Sequence, residues 1–408
     1  MEIAVIGGGT AGLATAWMLD PAHRVTVLES EPVLGGHVRT LGGNVPAAGE
    51  LGLGDTTLDA GVVLLERSNF PNTHRLMDRV GARRRPVSAP VTMTATPGRS
   101  ILTPEAVGWL PRRKRPRYLL RGVRPTVQRA AFLDRTAHAT MDSLYANPLQ
   151  AYLQGDPMAT WMRTLMMYAF STPFAETSAL PAALTVPLLR RMVFGGEWSG
   201  FVGGAWAWLE ALIDDMGVSI ETEAAVEQVL RDDDGVEVRV NGATCRFDHV
   251  VFATPPGAIL PLLAHPDRGE RRRLGAWRSR SISTQIHDDD LHDRWGVPVH
   301  TPFDMVKGRD GWGYTATLNP MSGLPVSGRI FQLAFGLESE IAPDRVLHSQ
   351  RHITPEYTVD ALRARPEVRA WQGHRRTWIV GAWLGNGLQE GAVTSAMQVA
   401  QRLGGRGF

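Results

Sequence analysis

The sequence predicts an α/β fold opening on a βαβ unit, and three observations lead there. Residues 1–5 form an apolar strand, and Gly7, Gly9 and Gly12 follow at G-x-G-x-x-G spacing. The run 11–17 then reads as the start of a helix. Residues 25–28 are a second buried strand that ends on an acid, Glu29. Strand, glycines, helix, strand and acid in this order are the signature of dinucleotide binding. Gly7 permits the tight turn, Gly9 lets a pyrophosphate approach the backbone, and Gly12 lets the helix pack closely on the strand. Thr10 and Ala11 lie at the helix N-terminus, where unpaired N–H groups and the positive dipole end favour phosphate. Glu29, with Ser30 beside it, is expected to accept hydrogen bonds from the adenosine ribose.

Glu29 is followed by five residues and then by Gly35-Gly36-His37-Val38-Arg39. Here the chain resembles the flavin-containing amine oxidase and phytoene desaturase superfamily, in which E-x5-G-G marks FAD rather than NAD. Relatives usually carry Arg directly after the glycine pair. His37 in that place, with Arg39 two residues on, is similar to a bacterial branch of NAD/FAD-binding, amine-oxidoreductase-like proteins linked to modified fatty acids. The resemblance implies FAD as cofactor, with Gly35, Gly36 and His37 beside it. It also implies an FAD-binding Rossmann-like domain of the amine oxidase type with an inserted α+β substrate domain.

A chain of 408 residues exceeds one ordinary domain. Two interleaved domains are expected, with residues 1–81, 196–256 and 374–408 holding FAD and residues 82–195 and 257–373 holding substrate. A hydrophobic fraction of 43% with 12 Trp is ample for a core. The net charge of +2 gives no pull toward nucleic acid. Cys245 is the single cysteine, which excludes a disulfide framework and a thiolate metal cluster. No signal segment precedes the first strand, and no apolar run reaches about 18 residues, so a cytoplasmic protein is expected.

Residues 58–65 read as a strand entered through D-x-G. The resemblance places Asp59 and Gly61 beside the flavin ring, while Asp59 read by itself is a turn residue. Phe70-Pro71-Asn72 leads into a helix over 73–80. From residue 82 prolines cut the chain into short extended pieces. Arg112, Arg113, Lys114, Arg115, Arg117, Arg121, Arg124 and Arg129 then interleave with Tyr118, Leu119, Leu120 and Val123. Such a stretch fits a peripheral membrane surface or an acidic carrier protein. It also fits a solvated face whose Arg stems cover the domain below, and Pro116 and Pro125 are expected to limit any helix.

Residues 151–189 are mostly helical, with Trp161, Met162, Leu165, Met166, Met167 and Phe170 at helical spacing, either as core or as cavity lining. Alternating residues on both sides of Asn241-Gly242 predict a hairpin. A buried parallel strand follows over 249–252. By the resemblance, Gly203-Gly204 starts the helix that returns to the FAD domain, the backbone at Val226 holds adenine, and Ala253 and Thr254 approach the dinucleotide. His287, Asp288, Asp289, Asp290 and His292 offer metal-ligand chemistry. So many polar groups in six positions cannot converge on one ion, and a solvated loop without metal is expected. Lys307 resembles the lysine near flavin N5 in monoamine oxidases, but its surroundings read as an exposed turn, and the strands near 312–318 and 329–335 read as a floor under the substrate.

The C-terminal segment runs from an apolar strand at 376–380 through Gly381-Ala382-Trp383 to a helix starting near Glu390 and Ala392. It resembles the family's terminal motif, in which the helix N-terminus faces the flavin and stabilises its reduced, anionic form. Relatives carry an acid after the strand glycine, where this chain has Ala382. The expected function is an FAD-dependent oxidoreductase (oxidase, dehydrogenase or desaturase) that moves a hydride from a substrate C–H bond to flavin N5. Its substrate is a small molecule, either an amine or an apolar, acyl-like chain. An isomerase and a redox-silent FAD-binding partner are the alternatives. The flavin carries the chemistry, so no catalytic residue is named.

Overall fold

The computed structural model describes residues 1–46, 56–192 and 196–408. Its centre is a five-stranded, all-parallel sheet in the order Ser219–Glu221, Arg24–Leu28, Glu2–Ile6, His249–Phe252, Thr377–Ile379. Ile3 stands opposite Val25 on one side and His249 on the other. The inner strands are covered on both faces, which is why they read as unbroken apolar runs. Helix Thr10–Leu19 is buried along its whole length and packs on the terminal helix Gln389–Arg402 and on helix Trp206–Asp214. The central sheet thus draws strands from three distant parts of the chain.

Between the visits to that sheet the chain forms further sheets. Strands Val226–Arg231, Val236–Val240 and Ala243–Phe247 make an antiparallel meander. Its last turn, Asn241-Gly242, has φ of 48° and 77°, the doubly positive pair that a two-residue hairpin of this hand requires. A seven-stranded sheet runs Val346–Glu356, Arg278–His287, Gln332–Phe335, Gly311–Thr317, Phe303–Gly308, Val91–Thr96, Arg99–Leu102. Helix Met158–Phe170 lies against it. A small third sheet pairs Leu65–Glu66 and Arg84–Val87 with Trp198–Phe201 between them. The expected boundaries near 81 and 196 therefore flank strands of one shared sheet. Among the described residues no helix is long and apolar enough to cross a membrane.

Three local expectations are corrected. Residues 58–65 are not one strand: Leu58–Asp59 pairs with Thr40–Leu41, and Leu65–Glu66 joins a different sheet. Between them Gly61 abuts the carbonyl of His37, where any Cβ would collide. The basic stretch does form a helix, Arg115–Ala137, in spite of its prolines. Pro116 sits in the first turn, where no N–H is needed, and Pro125 is buried on the packed face. Finally, the 287–292 segment is no solvated loop, since His287, Asp289 and His292 are buried. Each finds its own partner. His287 meets Thr315, Asp289 takes Arg294 and the Ala342 N–H, and His292 lies 2.6 Å from Asp304.

Candidate functional site

The glycine turn forms at the C-terminal edge of the first strand. Gly7 has φ of 110°, and a Cβ there would lie 2.9 Å from the carbonyl oxygen of Ala253. Gly12 faces the carbonyl oxygen of Gly7 so closely that any side chain would overlap it. The helix that follows has no side-chain cap, so the first-turn amides of Thr10 and Ala11 are left for a ligand. The second glycine pair lies directly against the first. Gly35 donates to the Gly8 carbonyl at 2.8 Å, and Gly9 forms a parallel bridge with Gly35. Gly35 and Gly36 have φ of 116° and 59°. Two Cβ-free surfaces stacked in this way leave backbone, not side chain, facing the pyrophosphate position.

Glu29 is buried at the end of its strand. One carboxylate oxygen accepts the Gly8 N–H at 2.7 Å, and the other takes the Glu31 N–H at 3.0 Å and the Ser30 hydroxyl at 3.2 Å. The carboxylate is thereby aimed along the glycine turn. The Ala224 N–H donates to the Glu29 carbonyl, and Glu223 to that of Glu31, so the chain entering Val226 runs beside the adenosine end. Ala253 and Thr254 touch the opposite side of the turn, and the Thr254 hydroxyl is buried with no partner.

At the other end lies the C-terminal loop. Gly381 adopts φ of 154° with its N–H bound to Ser395, and Trp383 is buried with its ring N–H unpartnered. Ala392 is buried in the first turns of the terminal helix. Glu390 is placed differently from expectation. Its carboxylate accepts from the backbone and side chain of both Asn72 and Thr73, at 2.7–3.1 Å. The side chain thus joins two helices and has no hydrogen-bonding capacity left for a flavin. The preceding residue, Gln389, is buried with both amide atoms unpartnered, a polar group awaiting a ligand. No family motif marks it; its signal is a polar residue at the first position of the terminal helix.

Asp59 also serves the frame. It accepts from Thr40 at 2.5 Å and from the Ala205 N–H at 2.8 Å, beside Gly203 and Gly204 with their φ of 83° and 80°. Burial pushes its carboxyl up to about 7, against the hydrogen bonds from Thr40 and Ala205 that pull it down. The adjacent Ala60 carbonyl accepts from Thr284 at 2.7 Å and meets His352 at 3.1 Å, both on the seven-stranded sheet. His352 stacks edge-on against His37, with ring centroids 5.5 Å apart. His37 keeps an open face, yet the surrounding protein is dense enough that burial lowers its pKa. The same cause, strengthened by the charge repulsion of His37, brings His352 down to about 3. Neutral imidazoles at this seam join the cofactor loop to the floor sheet. Neither Thr284 nor His352 belongs to a recognisable motif.

A stacked glycine turn, an acid aimed along it and unpartnered polar atoms at Thr254, Trp383 and Gln389 fit an extended flavin dinucleotide. The family model for flavin-containing amine oxidoreductases matches residues 10–283. The chain belongs to that family. As a flavin-containing amine oxidoreductase it is an FAD-dependent oxidoreductase with FAD as its cofactor. Solved structures share the whole fold at low identity. A putrescine oxidase is 13% identical with a TM-score of 0.69, each chain covered to 99%. A fatty acid isomerase from P. acnes that produces CLA is 18% identical with a TM-score of 0.69 and 98% coverage of both chains. A cyclohexylamine oxidase from Brevibacterium oxydans is 14% identical at 0.67, with 99% of both covered. No curated protein matches the chain in sequence.

Proposed function

We propose that this oxidoreductase acts on an apolar, acyl-like chain rather than on an amine. The structures that share its fold include oxidases of amines and an isomerase of fatty acids, so the fold admits both. The reading is carried by the aromatic cluster between helix Met158–Phe170 and the seven-stranded sheet. Tyr168 packs on Phe303 and Tyr314 at 4.5 and 4.6 Å between ring centroids, and Tyr314 packs on Phe335 at 5.9 Å. Ile282 and Met167 complete the patch.

The polar atoms of this cluster are phenol hydroxyls that burial keeps protonated, as both tyrosine pKa values are driven upward. The Tyr168 hydroxyl is buried without a partner. The carboxylate near Tyr314, that of Glu338, is exposed and accepts the Gly336 N–H. An apolar chain gains free energy on entering such surroundings, whereas an ammonium would exchange its hydration for cation–π contacts alone, with no carboxylate among the described residues of the cluster.

Bound FAD supplies the hydride acceptor for oxidation of a C–H bond. The protein's own contribution is to exclude water with this aromatic wall and to hold the chain still. Anaerobic addition of fatty acids and of primary amines, followed through the flavin absorbance, tests the reading. Bleaching by acyl chains and not by amines is expected, and bleaching by amines alone would overturn it. Migration of a double bond without lasting bleaching keeps the acyl substrate and replaces oxidation by isomerisation.

A further inference from the structure

Helix Arg115–Ala137 packs on the protein through Tyr118, Pro125, Arg129, Phe132 and Thr136. At about 100° per residue these positions share one face. The opposite face is not polar, as a solvated helix would be. Leu119, Leu120, Val123 and Val127 are 52%, 75%, 58% and 64% exposed. The same arithmetic puts these four within about 100° of arc, centred roughly 165° from the packed face. Trp109, just before the helix, is another exposed apolar side chain. Single exposed apolar residues are ordinary, but a continuous stripe directed away from the core marks a binding surface.

The charge beside the stripe is equally one-sided. Between Glu105 and Asp134 the sequence holds eight basic residues and no acid, in a chain whose net charge is only +2. Among the described residues none of these eight forms a salt bridge. Arg117 and Arg121 instead lie over the Tyr118 ring, at 5.9 and 5.4 Å, and Arg115 binds the Leu110 and Gly108 carbonyls. Arg117, Arg121 and Arg124 fall on one flank of the stripe, and Arg112, Arg113 and Lys114 lie at its start. Beside the helix a cavity of about 260 Å³ opens between it and the strand Arg99–Leu102, lined by Leu102, Val107, Leu119, Val123 and Val127 among others.

We propose that this helix is a peripheral docking element for an anionic lipid surface. The stripe inserts at the level of the headgroups, the flanking guanidinium groups bind lipid phosphates, and the apolar cavity receives hydrocarbon. Insertion parallel to the surface is what an amphipathic basic helix does when it is not apolar enough to span. A second copy of the chain fits this face less well, since a two-fold pairing would bring the two arginine flanks together. The proposal is independent of the substrate reading, because lipid binding is measured without turnover.

The test uses the FAD-loaded protein and co-sedimentation with vesicles. Wild type should pellet with mixed phosphatidylcholine and phosphatidylglycerol vesicles, less at higher ionic strength, and remain in solution with phosphatidylcholine alone. Leu120→Ser with Val123→Ser should lower the partition coefficient on the order of tenfold or more, and so should Arg113→Gln with Arg117→Gln and Arg124→Gln. These side chains are exposed, so melting temperature and flavin content should not change. Wild type staying in solution with anionic vesicles overturns the proposal. Binding that needs the arginines but ignores the loss of Leu120 and Val123 also overturns it, in favour of purely electrostatic adsorption without insertion of the stripe. Concentration-dependent self-association that the serine variant abolishes, without vesicle binding, overturns it in favour of a dimer.

Discussion

The carboxylate of Glu390 accepts hydrogen bonds from both the backbone N–H and the hydroxyl of Thr73, each at 2.9 Å, across 317 residues of sequence. With the two bonds from Asn72 it fixes the terminal helix to the N-terminus of helix Pro71–Arg79. A negative charge at a helix N-terminus also complements the dipole. Glu390→Gln should therefore destabilise the apoprotein, because an amide group would face N–H donors that now meet a carboxylate. Bonds to a charged acceptor contribute roughly 1.5–3 kcal/mol, so the apoprotein melting temperature should fall by several degrees. Weakened FAD binding with an unchanged apoprotein melt would show that the carboxylate serves the flavin instead.

Glu29→Gln tests the adenosine end. Glutamine keeps the shape but turns an N–H₂ toward either Gly8 or Glu31, both of which donate to the native carboxylate. Losing charge-assisted bonds should weaken FAD on the order of tenfold to a hundredfold. An equal dissociation constant, measured by quenching of flavin fluorescence, would mean that the ribose is held by other groups.

Gln389→Leu separates a ligand-directed amide from a merely buried one. Both amide atoms of Gln389 lack a partner, so leucine removes an unsatisfied group and should leave the apoprotein at least as stable. If the amide faces the flavin, the variant should shift the reduction potential of bound FAD or its affinity. Dye-coupled reduction giving wild-type values for both would remove Gln389 from the site.

Asp59 makes a pH prediction with a definite sign. Its folded pKa of about 7 stands above the ordinary value of 3.8. From about pH 4 to 7 the folded state keeps a proton that the unfolded chain has lost. Stability attributable to this group is therefore highest below pH 4, declines through that window and levels off above 7, by at most about 4 kcal/mol. Asp59→Asn lacks the titration. Its melting temperature relative to wild type should rise from pH 4 to 7 and then stay level; a difference independent of pH would refute the assignment.

The buried imidazoles act in the opposite sense. Burial lowers His352 to about 3 and His287 to about 4. Unfolded histidine takes up a proton near pH 6.5, so stability is lost as pH falls below 6.5 toward these values. His352→Gln keeps a side-chain N–H for the Ala60 carbonyl and should flatten the acid limb of the melting curve. Unaltered acid sensitivity in that variant would place the titration elsewhere.

The cofactor turn was legible before folding because its requirements are local. Gly7, Gly9, Gly12, Gly35 and Gly36 answer mostly to backbone angles and close approaches within the first 36 residues, and Gly7 also meets a distant group, the Ala253 carbonyl. The Asn241-Gly242 hairpin follows likewise from alternation and two positive φ values. The sequence alone thus determined the fold class, the family and the glycine frame. Partners hundreds of residues apart were decided only by the tertiary structure. It gave the Glu390 and Asp59 carboxylates to helix ends, and it left Gln389 unpartnered. It brought His352 and Thr284 to the Ala60 carbonyl, and it turned 287–292 inward onto separate partners. It also decided which face of the basic helix is free. In sequence Tyr118, Leu119, Leu120 and Val123 are interleaved alike with the basic residues, and only the packing of Tyr118, Pro125 and Phe132 against the protein directs Leu120 and Val123 to solvent. A side chain's chemistry is written in its own residue, but its role depends on which groups the fold brings within hydrogen-bonding or van der Waals reach.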